Sequence, residues 1–475
     1  MTPLWTLDTI AAAMGAEKSG SLPAGVPGIS IDTRTLGKGE AFFAIKGDSR
    51  DGHEFVEDAL KTGAGLAVVA RAQRARFAQE APLLVVDDVL DGLRALARAS
   101  RARTNAKVIA VTGSVGKTGT KEALKLALSA DGETHVSASS YNNHWGVPLS
   151  LARCPQSARY AVFEIGMNHA GEITPLTKLA RPHVAIVTAV EPVHLEYFGS
   201  LEKIADAKAE IFLGVEPGGA ALLNRDNAQF DRLAKAAQAA GVQRILSFGE
   251  AAQADACLVR YVLHADCSTV DADILGQPVT YKLGAPGFHL VHNSLAVLAA
   301  AALVGADLAL AALALANFKP AAGRGTRVTL SVPGGSALLI DESYNANPAS
   351  MRAAIALLGQ APIGQHGRRI AVLGDMLELG PTGPELHRAL AGPLEAAGVD
   401  MVFCSGPLMH ALWEALPSGR RGGYAGTAAE LEPSVLGALR EGDAVMVKGS
   451  LGSKMGPIAK ALQRQFPRQG ARAAG

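Results

Sequence analysis

At 475 residues the chain exceeds what one hydrophobic core ordinarily supports, so roughly two to four domains are expected. Hydrophobic residues at 48% and charged residues at 19% mark a globular protein, and a formal net charge of +1 gives no reason to expect a nucleic-acid or anionic-membrane partner. Cys154, Cys257, Cys267 and Cys404 are scattered and form no CxxC, which argues against a disulfide framework and for reduced thiols in a cytosolic protein.

Met1 to Trp5 carries neither a basic n-region nor a long apolar segment, so no secretory signal is read and a cytoplasmic location is expected. Residues 1–86 read as a small α/β domain. Thr6 to Met14, followed by Gly15, has the pattern of a capped helix. Gly28–Arg34, Ala41–Ile45, Leu66–Val69 and Leu83–Val86 read as strands. Polar groups cluster among them: Asp32, Thr33, Arg34, Lys46, and the run Asp48 to His53. Turn chemistry accounts for such a cluster; so does a site for a phosphorylated ligand, with Arg34 and Lys46 as cationic donors.

A helix over Asp88–Arg101 leads into a second unit, 87–320. The apolar run Val108–Val111 reads as a buried strand. It is followed by Gly113, Ser114, Val115, Gly116, Lys117, Thr118 and Gly119, and then by a helical run, Lys121–Leu128. Strand, glycine loop, Lys-Thr and helix is the order of a phosphate cradle. Loop amides and the helix N-terminus face the phosphates, Lys117 adds a charge, and the Thr118 hydroxyl can meet a magnesium ion. The strict P-loop has its first glycine further upstream, where this chain has Val111. A glycine turn that merely precedes a helix is the plainer alternative.

Further strands are read at Tyr160–Ile165, Val184–Val190 and Ala220–Leu223, with a helical stretch over Leu201–Leu213. This alternation predicts a parallel, doubly wound sheet whose ligands sit at the carboxyl ends of its strands. Glu164 ends one such strand, where it can hold magnesium or simply be a satisfied buried acid. His194 follows another as a possible ligand or acid/base, although a lone loop histidine more often does neither. Tyr141–Pro148 is a polar loop that by itself says little. Lys208, between Asp206 and Glu210, reads from composition as part of a solvated helix face. Leu295–Ala316 reads as two soluble helices divided by Gly305 and capped at Asp307, not as a membrane span.

Pro320–Thr326 reads as a hinge into a third α/β unit, 321–475. Strands are expected at Ala337–Ile340, Ile370–Leu373, Met401–Cys404 and Ala444–Val447, each ending in a polar or glycine-rich loop. The tail Gln463–Gly475 reads as frayed.

Taken together, these motifs resemble the Mur ligases of bacterial peptidoglycan synthesis. The likeness rests on Asp32-Thr-Arg, Gly47–His53, the short loop Thr112–Thr118, Tyr141-Asn142-Asn143, Phe163–Asn168, His194–Ser200, Ala207–Phe212 and His292-Asn293. It continues in Asp341–Pro348, Gly374–Gly380 and Val447–Ser450. The resemblance implies three domains: UDP-substrate binding, ATP binding and a closing C-terminal ligase domain. It implies a ligase that joins D-alanyl-D-alanine to UDP-N-acetylmuramoyl-tripeptide, with ATP and magnesium and through an acyl phosphate.

The resemblance also assigns roles. Lys117 and the loop amides hold phosphates, Thr118 and Glu164 one magnesium, His194 and a carbamoylated Lys208 a second. Asn293, Arg324, Asp341 and Asn345 surround the nucleotide. Asp375, Glu378 and Lys448 hold the dipeptide or product; Asp32, Arg34, Lys46 and His53 contact UDP, with Asn142 and Asn143 also on the substrate side. A monomer is the default state. One departure touches the last loop: Leu451, not an arginine, follows Ser450, so an anion contact there is absent or moved to Lys454. The rival within the family adds a diamino acid and carries Asn-Pro-Arg; here Ala349 follows Asn347-Pro348. A nucleotide switch would ordinarily show Asn-Lys-x-Asp, which is not found, and a non-catalytic scaffold would not need Glu164, His194 and Lys208 together.

Overall fold

The computed structural model describes residues 3–47, 50–138, 141–193 and 195–467, so Asp48, Ser49 and His194 lie outside it. Three main sheets carry the chain. In the first, Ile29–Ser30, Ala41–Phe43, Leu66–Ala70 and Leu83–Val86 run parallel, and Glu17–Ser19 adds an antiparallel edge. The Gly28–Arg34 strand is shorter than expected because Asp32 turns the chain: its carboxylate accepts the Arg34 N–H at 2.9 Å. Thr6 caps the helix Leu7–Met14, and Gly15 ends it at φ 61°.

The helix Val89–Arg103 straddles the boundary drawn at 86/87. It buries Val89, Leu93 and Leu96 in the first core and Ala97 in the second.

The central sheet has nine strands, with Lys107–Thr112 between Val184–Val187 and Tyr160–Glu164. The chain leaves Lys107–Thr112 for the outer strand Thr134–Val136, returns through Tyr160–Glu164, and then crosses to the other side. The strand order therefore reverses at the carboxyl end of Lys107–Thr112, which opens a crevice there. The sheet is not wholly parallel. Ala256–Leu263, Ser268–Ile274 and Gln277–Leu283 form an antiparallel meander on its edge. Ser268–Ile274 alternates buried and more exposed residues along its length, whereas Ala256–Leu263 buries only Ala256 and Leu258 and exposes the apolar Val259 and Val262. The long alanine-rich stretch is two helices, Phe288–Leu303 and Leu308–Ala314. Gly305 lies between them at φ 79°, and Asp307 accepts the Leu310 N–H. Among the described residues no helix is long and apolar enough to cross a membrane.

The third sheet is parallel from Gly335–Glu342 through Ala444–Lys448, Arg369–Gly374, Met401–Ser405 and Arg421–Ala425. Thr326–Val332, read in part as connector, adds an antiparallel edge. The helix Gly456–Gln465 extends into the stretch expected to fray, held by buried Ile458, Ala459, Ala461 and Leu462.

Candidate active site

The sequence Gly113–Lys117 forms a tight loop because two of its positions exclude a side chain. Gly113 adopts φ 150°, and a Cβ there would lie 2.0 Å from Thr188 Oγ1; Gly116 adopts φ 85°, and a Cβ there would lie 2.6 Å from Asn293 Nδ2. Gly116 caps the helix Lys117–Ser129, so the helix starts four residues earlier than its apolar run suggested and puts Lys117 and Thr118 in its first turn. Ser114 fixes the neighbouring loop: its Oγ donates to the Glu191 carbonyl and accepts the Glu191 N–H, both at 2.9 Å.

Lys117 is half-buried and donates from Nζ to the Gly113 carbonyl at 2.7 Å. Burial pushes its pKa down, nearby Glu164 opposes this, and Arg324 adds to it. Glu164 is buried at the end of its strand. The Thr118 hydroxyl donates to one oxygen at 2.9 Å and Asn142 Nδ2 to the other at 2.8 Å. The Asn143 side chain instead accepts the Gly146 N–H and starts the helix Gly146–Ala152.

These residues wall a cavity of about 800 Å³ between the central and third sheets. From the third domain come Arg324, Tyr344, Asn345 and Lys448. The Arg324 guanidinium stacks 4.1 Å from the Tyr344 ring centroid. Lys448 is buried and donates to the Asn345 carbonyl at 3.0 Å and to Glu342 at 3.3 Å. Asn293, from the helix Phe288–Leu303, completes the wall beside the loop.

Sequence reasoning missed Asn224, Asp226, Glu342 and His289, which also border the cavity. Asn224 ends the strand Ala220–Asn224, so the strand-end rule could have found it together with Asp226. Asp226 accepts the Glu250 N–H at 2.7 Å, the Ala251 N–H at 3.0 Å and His292 Nε2 at 2.9 Å. Burial raises its pKa, but those donors outweigh burial and hold the carboxyl below its ordinary range. A depressed folded value contributes stability above the unfolded pKa that is lost as pH falls through the folded one. Asp226→Asn should therefore cost about 1–2 kcal/mol at pH 7, trimmed by partial solvent exposure. Urea titrations should show that gap closing as pH drops below 3.8; a gap independent of pH would contradict this.

Lys208 is not on a solvated face. It is 3% exposed, on the helix Leu201–Ala209, with Ala205, Ala207 and Ala209 buried around it. Asp206 is turned away to Arg232 at 2.6 Å, and Glu210 to the Thr174 N–H and hydroxyl, both at 2.9 Å. Among the described residues none gives the Lys208 amine a hydrogen bond or ion pair. Burial, aided by the Lys117 ammonium, pushes its pKa well below the lysine range.

Several expected contacts have other partners. His53 is buried: Nδ1 meets Asp51 at 2.6 Å and Nε2 accepts the Ala70 N–H at 2.9 Å, so both ring nitrogens are committed inside the first domain. Asp375 is buried and accepts the Met409 N–H at 2.8 Å and the Leu408 N–H at 3.3 Å, holding a loop rather than facing the cavity. Burial raises its pKa. Asp341 accepts from the Ser343 hydroxyl at 2.6 Å, and its neighbour Glu342 borders the cavity in its place. Glu378 is exposed at φ 62°, and its carbonyl accepts the Glu196 N–H from the central domain at 3.3 Å. Asp32 and Arg34 pair at 2.6 Å on the surface, and Lys46 is exposed; none of the three borders the cavity.

Family models match three successive stretches: the Mur ligase family catalytic domain over residues 26–102, the Mur ligase middle domain over 111–301, and the Mur ligase glutamate ligase domain over 323–451. The chain is 35% identical to the UDP-N-acetylmuramoyl-tripeptide–D-alanyl-D-alanine ligase of Escherichia coli, over 92% of this chain and 93% of that one. It superposes on MurF from Acinetobacter baumannii with TM-score 0.83 and 30% identity, over 97% and 99% of the two chains. MurF ligase from Thermotoga maritima in complex with ADP gives TM-score 0.74 and 25% identity, over 92% and 98%.

Proposed function

The chain belongs to the Mur ligase family, and from that membership we propose the reaction it runs: ATP-driven joining of D-alanyl-D-alanine to UDP-N-acetylmuramoyl-tripeptide. The observation that carries this reading is the cavity in which the phosphate loop and third-domain residues Arg324, Asn345 and Lys448 face one another. A site assembled from two domains suits a reaction that must bring three substrates together and exclude water.

Lys117, the loop amides and the helix N-terminus hold the phosphates. Thr118 and Glu164 are two hard oxygen donors 2.9 Å apart in a buried setting, which fits one magnesium ion that also coordinates the nucleotide. Such an ion neutralises phosphate charge during transfer. Thr118 and Glu164 supply two protein oxygens, and nucleotide phosphate oxygens and water would complete the octahedral shell.

The tripeptide carboxylate oxygen attacks the γ-phosphorus, the bond to ADP breaks, and an acyl phosphate forms. Arg324, next to the hinge, meets the γ-phosphate. Asn293 and Asn345, with Asp341 behind them, surround the nucleoside. The dipeptide amine then attacks the activated carbonyl, and phosphate leaves with one amine proton. Lys448 keeps Glu342 and the Asn345 carbonyl in place on the product side. Asp32, Arg34 and Lys46 are assigned to the UDP end.

As an amine or ammonium, Lys208 does not fit a second magnesium site. Its buried, unpartnered state favours the free amine, which adds CO2 to give a carbamate and a proton. That carbamate is an oxygen donor and, with His194, would fit the ion. Three functional units, 1–86, 87–320 and 321–475, acting as a monomer in the cytoplasm complete the reading.

Phosphate release from ATP tests it. With magnesium and the UDP-muramoyl tripeptide present, D-alanyl-D-alanine should trigger release and single amino acids should not. Release with no second amine, or only with a diamino acid, would overturn the assignment.

A further inference from the structure

The helix Phe288–Leu303 starts with little help from its own sequence. Gly287 precedes it at φ 132°, and no side chain caps its first turn. A residue of its second turn anchors it from outside. His292 is 7% exposed, on a face otherwise buried through Val291, Leu295, Ala296 and Ala299. Its ring centroid lies 5.2 Å from that of Phe248 and 5.9 Å from that of Phe288, and its Nε2 lies 2.9 Å from Asp226 Oδ2. An ionised carboxylate only accepts, so Nε2 carries the proton and donates. Asp226 is itself fixed by the Glu250 and Ala251 N–H groups, and it packs so closely that a Cβ on Gly249 would lie 2.3 Å from its Oδ2. One contact thus joins the helix to the loops that follow the strands Ala220–Asn224 and Arg244–Gly249.

The next residue is Asn293. It is half-buried and borders the cavity, and among the described residues its side-chain amide has no hydrogen bond. Its Nδ2 lies against the phosphate loop, 2.6 Å from where a Cβ on Gly116 would stand. A half-buried amide with unused donors and acceptor is costly unless a ligand meets it. Successive residues of a helix point about 100° apart around its axis, so holding His292 sets the direction of Asn293. The uncapped first turn offers no such hold. His292 has its donor nitrogen committed to Asp226, and its neighbour keeps its polar atoms for the cavity.

We propose that Asp226 and His292 are positioning residues for the nucleotide. Their contact fixes the rotation of the helix and aims the free Asn293 amide at a nucleotide bound beside the phosphate loop. This role rests on the ligase reading above and adds to it two residues that act through Asn293. It also gives a reason for a buried histidine among the apolar residues of this helix: an aliphatic side chain there would pack as well but could not reach a fixed carboxylate.

Calorimetric titration of ADP with magnesium into the full-length protein tests this, as a double-mutant cycle. His292→Ala should weaken ADP binding roughly tenfold, the size of a typical coupling between contacting residues. His292→Gln, whose amide can still donate to Asp226, should recover most of that loss. Asn293→Ala should weaken binding by a similar factor, and His292→Ala added to Asn293→Ala should cost almost nothing more, because the group it aims is gone. Asp226→Asn, which keeps the shape and drops the charge, should show a smaller loss that likewise vanishes in the Asn293→Ala background; it carries the test if His292→Ala does not fold. Unchanged ADP affinity in the folded single variants, or losses that simply add in the double ones, would overturn the positioning role and leave the ligase reading standing. If the unaltered protein takes up no ADP, the ligase reading fails, and the positioning role with it.

Discussion

Lys117→Met is expected to lower the rate of ATP-dependent ligation by about 10³-fold or more, with the fold intact. Phosphoryl transfer offers little covalent work to the protein, so the loss of one fixed cation at the transferring group removes much of what the protein supplies. Lys117 is held for that task. Its ammonium lies against the Gly113 carbonyl, in the first turn of a helix whose N-terminus already favours anions. Methionine keeps the length of the stem and drops the charge, so the packing against the loop should survive. Single-turnover kinetics would separate chemistry from binding; a loss confined to ATP affinity would mean that Lys117 acts in the ground state only. Arginine should not substitute, since a planar fork does not fit where a point charge is bonded to one carbonyl.

Lys208→Ala should lower turnover by about 10²- to 10³-fold, and short carboxylates such as formate or acetate should restore part of it. The expected loss is steric and electrostatic at once. The side chain is 3% exposed, and its amine has no partner among the described residues, so truncation leaves a hole beside Lys117 that a small anion can enter. Lys208→Met fills the same volume without an oxygen donor and should resist rescue. If Lys208→Ala retains normal rates, Lys208 is merely a buried lysine. If the loss is not rescued and Lys208→Met is active, packing and not an oxygen donor is what the site needs.

The phosphate loop could be read in advance because glycine spacing, Lys117 and Thr118 impose a backbone that few other residues allow. Gly113 and Gly116 indeed sit where a Cβ would collide with Thr188 and Asn293. Glu164 was legible for a related reason: an acidic residue ending an apolar strand needs partners, and Thr118 and Asn142 provide them. Lys208 was not legible from composition. Its helix has acidic neighbours, and only tertiary packing reveals that these turn outward while the lysine turns in.

His53 and Asp375 show how little a polar turn says by itself. Polar residues in glycine-rich turns look like ligands, but both satisfy backbone N–H groups that would otherwise be buried without partners. The antiparallel edge of the central sheet was missed because its first strand, Ala256–Leu263, exposes Val259, Tyr261 and Val262 alike and so carries no period-2 signal.

In the proposed reaction this cavity presents a γ-phosphate to a carboxylate rather than to water. Labelling the terminal carboxylate of the UDP-muramoyl tripeptide with ¹⁸O and analysing the released phosphate by mass spectrometry tests it directly. An acyl phosphate intermediate predicts one ¹⁸O in each phosphate released during ligation. Phosphate that carries no label would contradict the account, because the γ-phosphate would then have gone to water and the amide bond would have formed by another route.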